Sequence, residues 1–421
     1  MVFHKESGFG RCFRRCVGCL CDVFPRGWFG VGSVVYSCHM EGKKVGAIVI
    51  ILLILGLGYY FVQGSAPGEG EDAVISIGFV GPLTGDAVSY GEPISNAVRM
   101  AVDTINQAGG VDGKMLKVIY EDGRCTNEDA LSATQKLVNV DGVKMIIGGV
   151  CSGETFAMLS VTDAAGVIVI SPSSSSPDLT GAGRYFFRNS PSDAEGGRQL
   201  AQIVTQEYKK VAIISEETDY AQGFARVFRE YVPLLDGEVV ADENFAPETS
   251  DFRSILTKIK AAEPEAIFVN PQTEIAGGTI VKQARELGIT VPLFGSNVTG
   301  GTKSAEIAGD HIEGLVFVDA PGLRPSNPKA NAFLEQYNAR YGESGIPFYT
   351  AAAHDIVYLF AQAIEMVGSA DDTEALRDYL STMGNFAGVV GSYRFRPDGD
   401  PEGIGFISKK IENGEIVVVE E

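Results

Sequence analysis

From residue 74 onward the chain alternates short apolar runs with longer amphipathic stretches. Val74–Val80 (VISIGFV) reads as a strand that stops at Gly81-Pro82, and Glu92–Ala108 places Ile94, Ala97, Val98, Ala101, Val102 and Ile105 at helical spacing before Gly109-Gly110 ends it. The same rhythm predicts strands at Met115–Tyr120, Val143–Ile147 and Val167–Ser171, with helices at Asn127–Val140 and Gly153–Ala165. After Ser192 it restarts. Strands are expected at Val211–Ser215, Gly237–Phe245, Ala266–Asn270, Leu293–Gly295 and Gly314–Val318, and helices at Asp193–Tyr208, Asp219–Leu235, Asp251–Ala262 and Glu274–Leu287. Three further helices, Pro328–Tyr341, Tyr349–Val367 and Thr373–Met383, precede short terminal strands. Strands alternating with helices of this length predict parallel, doubly wound α/β sheets. About ten strands are many for one core, so two lobes are expected, with a ligand in the cleft between them.

The first 73 residues follow a different pattern. Val45–Val62 is an uncharged apolar run of eighteen residues, about 27 Å long as a helix and close to the thickness of a bilayer core. Every Lys and Arg of the head precedes it, and Tyr59, Tyr60 and Phe61 stand at its far end. This predicts a basic cytoplasmic head at 1–44, a single transmembrane anchor at 45–62, a flexible linker at 63–73 and an extracytoplasmic domain at 74–421. Gly64-Ser65-Ala66 offers small residues at a cleavage point, but Pro67 follows and the apolar run exceeds a usual signal core, which favours a retained anchor. Met40 is an alternative start, since EGKK before the apolar run is already a complete signal-anchor beginning.

Charge sharpens this division. The head, residues 1–63, holds seven bases and three acids, net +4, while the remainder holds 27 bases and 51 acids, net −24. So acidic a body repels phosphate backbones, which excludes nucleic acid as a partner. Five cysteines (Cys12, Cys16, Cys19, Cys21, Cys38) lie in the head, the first four crowded together; crowded cysteines suit a metal site, but their spacing matches no standard pair of CxxC knuckles, and palmitoylation or plain incidence is an equal reading. Only four His occur, two of them in the head, and no GxSxG, HExxH or P-loop is present, so neither an enzyme, a metal site nor a cofactor is expected.

Four loops join a predicted strand to a predicted helix. They are Gly81–Gly91, Gly149–Thr155 (GVCSGET), Ser171–Pro177 (SPSSSSP) and Ser215–Gly223 (SEETDYAQG). The second and third bring hydroxyls and backbone N–H groups to helix N-termini, where donors and the helix dipole favour an anion together. A Ser run alone is better read as a capped polar loop; two such loops on successive strands of one sheet favour an anion site.

These residues also carry a resemblance. Over residues 74–421 the chain resembles the type I periplasmic solute-binding proteins of the leucine/isoleucine/valine-binding class, through IGFVGPLTGDAVSYGEPISNAVRMAVDTINQAGGVDGKMLKVIYEDGRC, IIGGVCSG, VIVISPSSSSPDLT, DYAQGFA, KQARELGI and GVVGSYRFRPDGD. The resemblance implies a bilobal fold with lobe 1 at about 74–190 and 322–390, and lobe 2 at about 191–321 and 391–421. It implies crossovers near Asn189–Asp193, Asp319–Arg324 and Gly388–Tyr393, and a disulfide between Cys125 and Cys151, in keeping with an even cysteine count in an oxidising compartment. By the same resemblance Tyr90 covers the ligand, Ser152 and Ser175 hold its carboxylate, the Ser173 carbonyl takes its amine, and Tyr220 closes from lobe 2. Where an acid is implied for the ligand's ammonium, this chain has Asn297; Glu274 is the expected substitute, and the departure leaves room for amides and other carboxylates.

The expectation is thus a solute-binding protein on the extracytoplasmic side of the cell membrane. It captures a small, branched-chain-like amino acid or an amide by lobe closure and delivers it to ABC permease subunits. The alternative is a ligand-sensing ectodomain of the same fold.

Overall fold

The computed structural model describes residues 74–419. The expected basic head, the apolar run Val45–Val62 and the linker lie outside the described residues. Among the described residues no helix is long and apolar enough to cross a membrane.

The first lobe is built on five parallel strands. They are β1 (Val74–Gly81), β2 (Met115–Asp122), β3 (Met145–Gly148), β4 (Ile168–Ser171) and β5 (Phe186–Arg188), in the order β2-β1-β3-β4-β5. β3 and β4 are buried along their whole length, as apolar runs must be when helices cover both faces of a sheet. The helices of this half are α1 (Val88–Gln107), α2 (Asn127–Asn139) and α3 (Ser152–Ala165). One apolar layer packs on each face of the sheet. α1 begins four residues earlier than expected because its first turn folds against the Pro82 loop. A Cβ at Gly91 would stand 1.8 Å from the Pro82 carbonyl oxygen, so only glycine fits there. Pro93 inside the helix has its carbonyl satisfied by the Tyr337 hydroxyl at 3.2 Å.

The second lobe continues with α4 (Asp193–Glu207), β6 (Lys210–Glu216), α5 (Asp219–Tyr231), β7 (Glu238–Phe245), α6 (Arg253–Ala261), β8 (Ala266–Asn270), α7 (Glu274–Glu286), β9 (Leu293–Ser296), α8 (Thr302–Ala308) and β10 (Val316–Asp319). The chain then returns to the first lobe with α9 (Pro328–Tyr341), α10 (Pro347–Val367) and α11 (Thr373–Thr382). α10 is almost wholly apolar because it lies inside the first lobe's core. The chain ends with β11 (Phe386–Ala387), β12 (Ser392–Phe395), β13 (Pro401–Glu402), β14 (Ile407–Glu412) and β15 (Glu415–Val418). The second sheet has the order β15-β14-β10-β9-β8-β6-β7; β14 runs antiparallel to both β10 and β15, and the other neighbours are parallel. Two segments escaped the sequence reading: three-residue β5 and seven-residue α8 are too short to show a period.

The last crossover lies later than Gly388–Tyr393. β11, β12 and β13 form a small antiparallel sheet, and Tyr393, Phe395 and Ile404 belong to the first lobe's core. The Phe395 ring lies 5.0 Å from that of Phe187 on β5. The chain therefore stays with the first lobe through Ile404 and joins the second sheet only at β14. Aromatic side chains on β12 were compatible with either lobe; burial against Phe187 decides it.

Cys125 and Cys151 form a disulfide across a separation of 26 residues, with Cα atoms 5.4 Å apart. It ties the turn after β2 to the residue preceding α3. Closing a loop of this length stabilises the fold by about 3–4 kcal/mol in the chain-entropy picture. Denaturation with and without reductant is expected to differ by that amount, and a Cys125→Ser, Cys151→Ser double variant is expected to match the reduced protein. Equal stability of all three forms would remove this role.

Candidate functional site

The site is assembled where three strands of the first sheet end. β3 delivers the Gly149–Cys151 loop and β4 delivers Ser171–Ser176, and hydrogen bonds join the two loops. Ser171 Oγ and Ser174 Oγ donate to the Gly149 carbonyl at 2.7 and 2.9 Å, and the Ser176 N–H donates to Ser152 Oγ at 3.1 Å. Arg188, at the end of β5, is fully buried. It pairs with Asp400 at 2.6 Å and donates to the Ser174 and Ser176 carbonyls at 3.2 and 2.8 Å. Half of the Ser run is thus scaffold. Ser171 and Ser174 hold the loops together, while Ser173 and Ser175 face the space they enclose.

Glu154 shapes the other wall. Its carboxylate accepts the backbone N–H groups of Cys125, Val150 and Cys151, each at 2.9 Å. Burial pushes its carboxyl up to about 7, against the pull of those three donors. Glu154 is the third residue of α3 and closes a capping box with Cys151; a cysteine stands where the motif usually has Ser or Thr, so the spacing did not mark it. With the loop held this way, Ser152 brings to the cavity the first turn of α3, whose N–H groups have no carbonyl partner inside the helix.

From lobe 1 the cavity takes Ala87, Tyr90, Val150, Cys151, Ser152, Ser173, Ser175 and Tyr349; from lobe 2 it takes Tyr220, Gln272, Asn297 and Val298. Its free space is about 40 Å³, more than one water molecule requires. None of these lining side chains carries a charge. Six of the seven sequence-predicted ligand residues come together here: Tyr90, Ser152, Ser173, Ser175, Tyr220 and Asn297. Gln272 and Tyr349 were missed. Each stands among apolar neighbours or turn residues, and no spacing marks it.

The lobes are closed on one another. Asn297 Nδ2 donates to Tyr90 Oη at 3.1 Å, Ser176 Oγ donates to the Asp219 carbonyl at 3.2 Å, and Arg226 pairs with Asp178. Tyr220, Ala221 and Val298 form an apolar cluster against which Tyr90 packs. Tyr220 Oη donates to Ser296 Oγ at 2.8 Å. Burial raises the phenols of Tyr90, Tyr220 and Tyr349 well above the usual tyrosine range, so all three stay neutral.

Glu274 does not line the cavity. It is buried beneath Gly301, and its Oε2 accepts the Lys303 backbone N–H at 2.6 Å. The carboxylate serves the first turn of α8, whose N–H groups lack helical partners, and this replaces its expected role as ammonium partner. Because it works as a cap, Glu274→Ala is expected to cost about 1 kcal/mol of stability. Solute affinity is expected to stay within about twofold, as for residues that do not share a contact. Chemical denaturation and calorimetry measure the two; a large affinity loss with unchanged stability would return Glu274 to the site.

Comparison with known proteins agrees with this geometry. The periplasmic binding protein family matches residues 74–409. The leucine-, isoleucine-, valine-, threonine- and alanine-binding protein of Pseudomonas aeruginosa is 29% identical over 342 residues, covering 79% of this chain and 88% of the relative. The crystal structure of the branched-chain amino acid transporter substrate binding protein LivJ from Streptococcus pneumoniae, in complex with isoleucine, superposes with a TM-score of 0.73 at 32% identity, covering 83% of this chain and 100% of that one. An ABC transporter substrate-binding protein from Desulfitobacterium hafniense in complex with Leu has a TM-score of 0.67 and 29% identity, covering 82% of this chain and 100% of that one. The chain belongs to the periplasmic binding protein family, whose members bind solutes and are not enzymes.

Proposed function

We propose that this protein captures a small amino acid, of the branched-chain type or smaller, or a closely related amide, and presents it to the permease subunits of an ABC importer. The observation that carries this reading is a neutral, hydroxyl-rich cavity closed between two lobes at the N-terminus of α3. Ser152 and the first-turn N–H groups of α3 suit a carboxylate or carboxamide oxygen. Tyr90, Val150, Val298 and Tyr349 surround the rest of the solute with apolar surface. Similarity to proteins named for leucine, isoleucine, valine, threonine and alanine supports the same class. Closure needs no covalent step: contacts made only when the lobes meet favour the closed state.

The protein is held, on this reading, at the cell membrane by Val45–Val62, with the binding domain on the extracytoplasmic side. The Cys125–Cys151 disulfide supports an oxidising location. The third predicted segment, the short linker, lets the domain reach a permease in the same membrane.

Isothermal calorimetry of the full chain in detergent, with L-leucine, L-alanine, leucinamide and isocaproate, tests the ligand class. Leucine or alanine is expected to bind. Ser152→Ala is expected to weaken that binding by about 10- to 100-fold, the value of a hydrogen bond to a charged group. If only leucinamide or isocaproate binds, the amino-acid assignment falls. For topology, protease added outside intact cells is expected to remove the binding domain; protection of that domain with digestion of the head would reverse the orientation.

A further inference from the structure

A second and larger cavity opens in the first lobe, among α1, α9, α10 and the turn after β11. Its free space is about 560 Å³, and it shares no lining residue with the solute cavity. Small-molecule sites commonly have this size. Ile105, Val111, Phe333, Tyr358, Phe386 and Val389 give it an apolar wall, three of them aromatic. Lys329, Gln336, Gln362 and Glu365 line it from exposed positions and so form a polar rim.

Within that wall stands His354, whose side chain is 14% exposed. Its ring packs edge-on against Phe333, with centroids 5.1 Å apart, and tilted against Tyr358 at 4.8 Å. Nδ1 is closed off from solvent and makes no hydrogen bond. Asp355 Oδ1 lies 3.8 Å from it, beyond hydrogen-bond length. The Asp355 carboxylate is occupied elsewhere, since its two oxygens accept the Val389 and Val390 N–H groups at 2.8 and 3.0 Å. It still sets the tautomer. A proton on Nδ1 faces a negative charge, whereas a lone pair there is repelled by it. Nε2 is then the acceptor nitrogen of the ring. With Nδ1 shut away, the ring meets the cavity through its other edge, and nothing among the described residues donates to Nε2.

We infer that this cavity is a second binding site, separate from the solute cavity, for a neutral aromatic molecule that carries one N–H or O–H donor, of the indole or phenol kind. The aromatic body lies among Phe333, Tyr358 and Phe386, and the donor meets Nε2 of His354. An acceptor in an apolar wall rewards a donor and penalises a ligand of the same shape that lacks one. Neutrality follows from the charges around the site. Lys329 and Glu365 place one charge of each sign at the rim, Lys329 already donates to the Ala387 carbonyl, and Asp355 is taken up by the backbone. The site therefore has no excess of either sign with which to hold an ion. The inference is independent of the amino-acid reading above, because the two cavities have no residue in common.

The test is nuclear magnetic resonance of the full chain in detergent, with isotope-labelled histidine nitrogens, titrated with indole and with N-methylindole. The chain has four histidines, and His354→Phe identifies the signals of His354 by their loss. Indole is expected to shift the His354 Nε2 signal saturably, with half-saturation at or below about 1 mM. N-methylindole keeps the rings and lacks the donor; it is expected to bind about tenfold more weakly, the worth of one hydrogen bond. Ala332→Trp fills the cavity mouth from an exposed position and is expected to abolish the indole shift. Gln336→Trp, also at the rim, serves if Ala332→Trp does not fold. Excess L-leucine is expected to leave the shift unchanged. The second site is overturned if indole gives no saturable shift, if the tryptophan variants respond as the wild type does, or if leucine displaces indole, which would place indole in the solute cavity. Equal binding of indole and N-methylindole would overturn the donor requirement and with it the role of His354.

Discussion

The structure depends most on one buried guanidinium. Arg188 has no exposed surface, and it sits where the Ser loop, β5 and the C-terminal segment meet. A buried charge is tolerated only when paired and fully hydrogen-bonded. Arg188 meets this with Asp400, with the Ser174 and Ser176 carbonyls, and with Thr180 Oγ1 at 2.8 Å. Asp400 in turn accepts from Thr180 and Arg396. The planar fork of donors fixes the direction of two loop carbonyls at once, which a lysine could not do. Ser173 and Ser175 face the cavity because their neighbours are held by this ion. The late return of the chain, through Tyr393, Phe395 and Ile404, also brings Asp400 to the end of β5.

The binding cavity shows how polarity can be built without charge at the wall. Tyrosines and small apolar side chains make up much of its wall, so a charge there would be costly without a partner in place. Three acids near the cavity are each held one step back. Glu154 is spent on three backbone N–H groups, Glu274 on the start of α8, and Asp193 on Ser175. Their effect reaches the cavity through the groups they orient. This arrangement gives the loops a fixed geometry while the lining stays neutral and selective through hydrogen-bond direction.

Closure uses several of the same residues that line the cavity. Tyr90 with Asn297, Ser176 with Asp219, and the Tyr220–Val298 cluster join the lobes beside the cavity. Small residues make this approach possible: a Cβ at Gly223 on α5 would stand 2.7 Å from Ser176 Oγ. Asn297 therefore serves the meeting of the lobes through Tyr90, at the place where an acidic residue was expected to meet a ligand.

Periodicity alone was enough to recognise the alternating strands and helices, because buried parallel strands and amphipathic helices differ plainly in spacing, as in β8 and α9, whose limits match the expected ones. The loops of the site were legible for the same reason: Ser152, Ser173, Ser175 and Tyr220 lie in short segments that must follow a strand and precede a helix. Glu274 also opens a helix, α7, yet its orientation depends on α8, which packs against it from almost thirty residues later. Arg188 and Asp400 are 212 positions apart, and no local pattern links them. The lobe that holds β12 was likewise undecided until Phe395 met Phe187. Local backbone preference and hydrophobic period are written within a few consecutive residues, so the chain alone determined elements, loops and fold class. Which side a buried acid faces, which hydroxyls keep their protons and where the chain crosses between lobes depend on partners brought together only by folding, and these the tertiary structure decided.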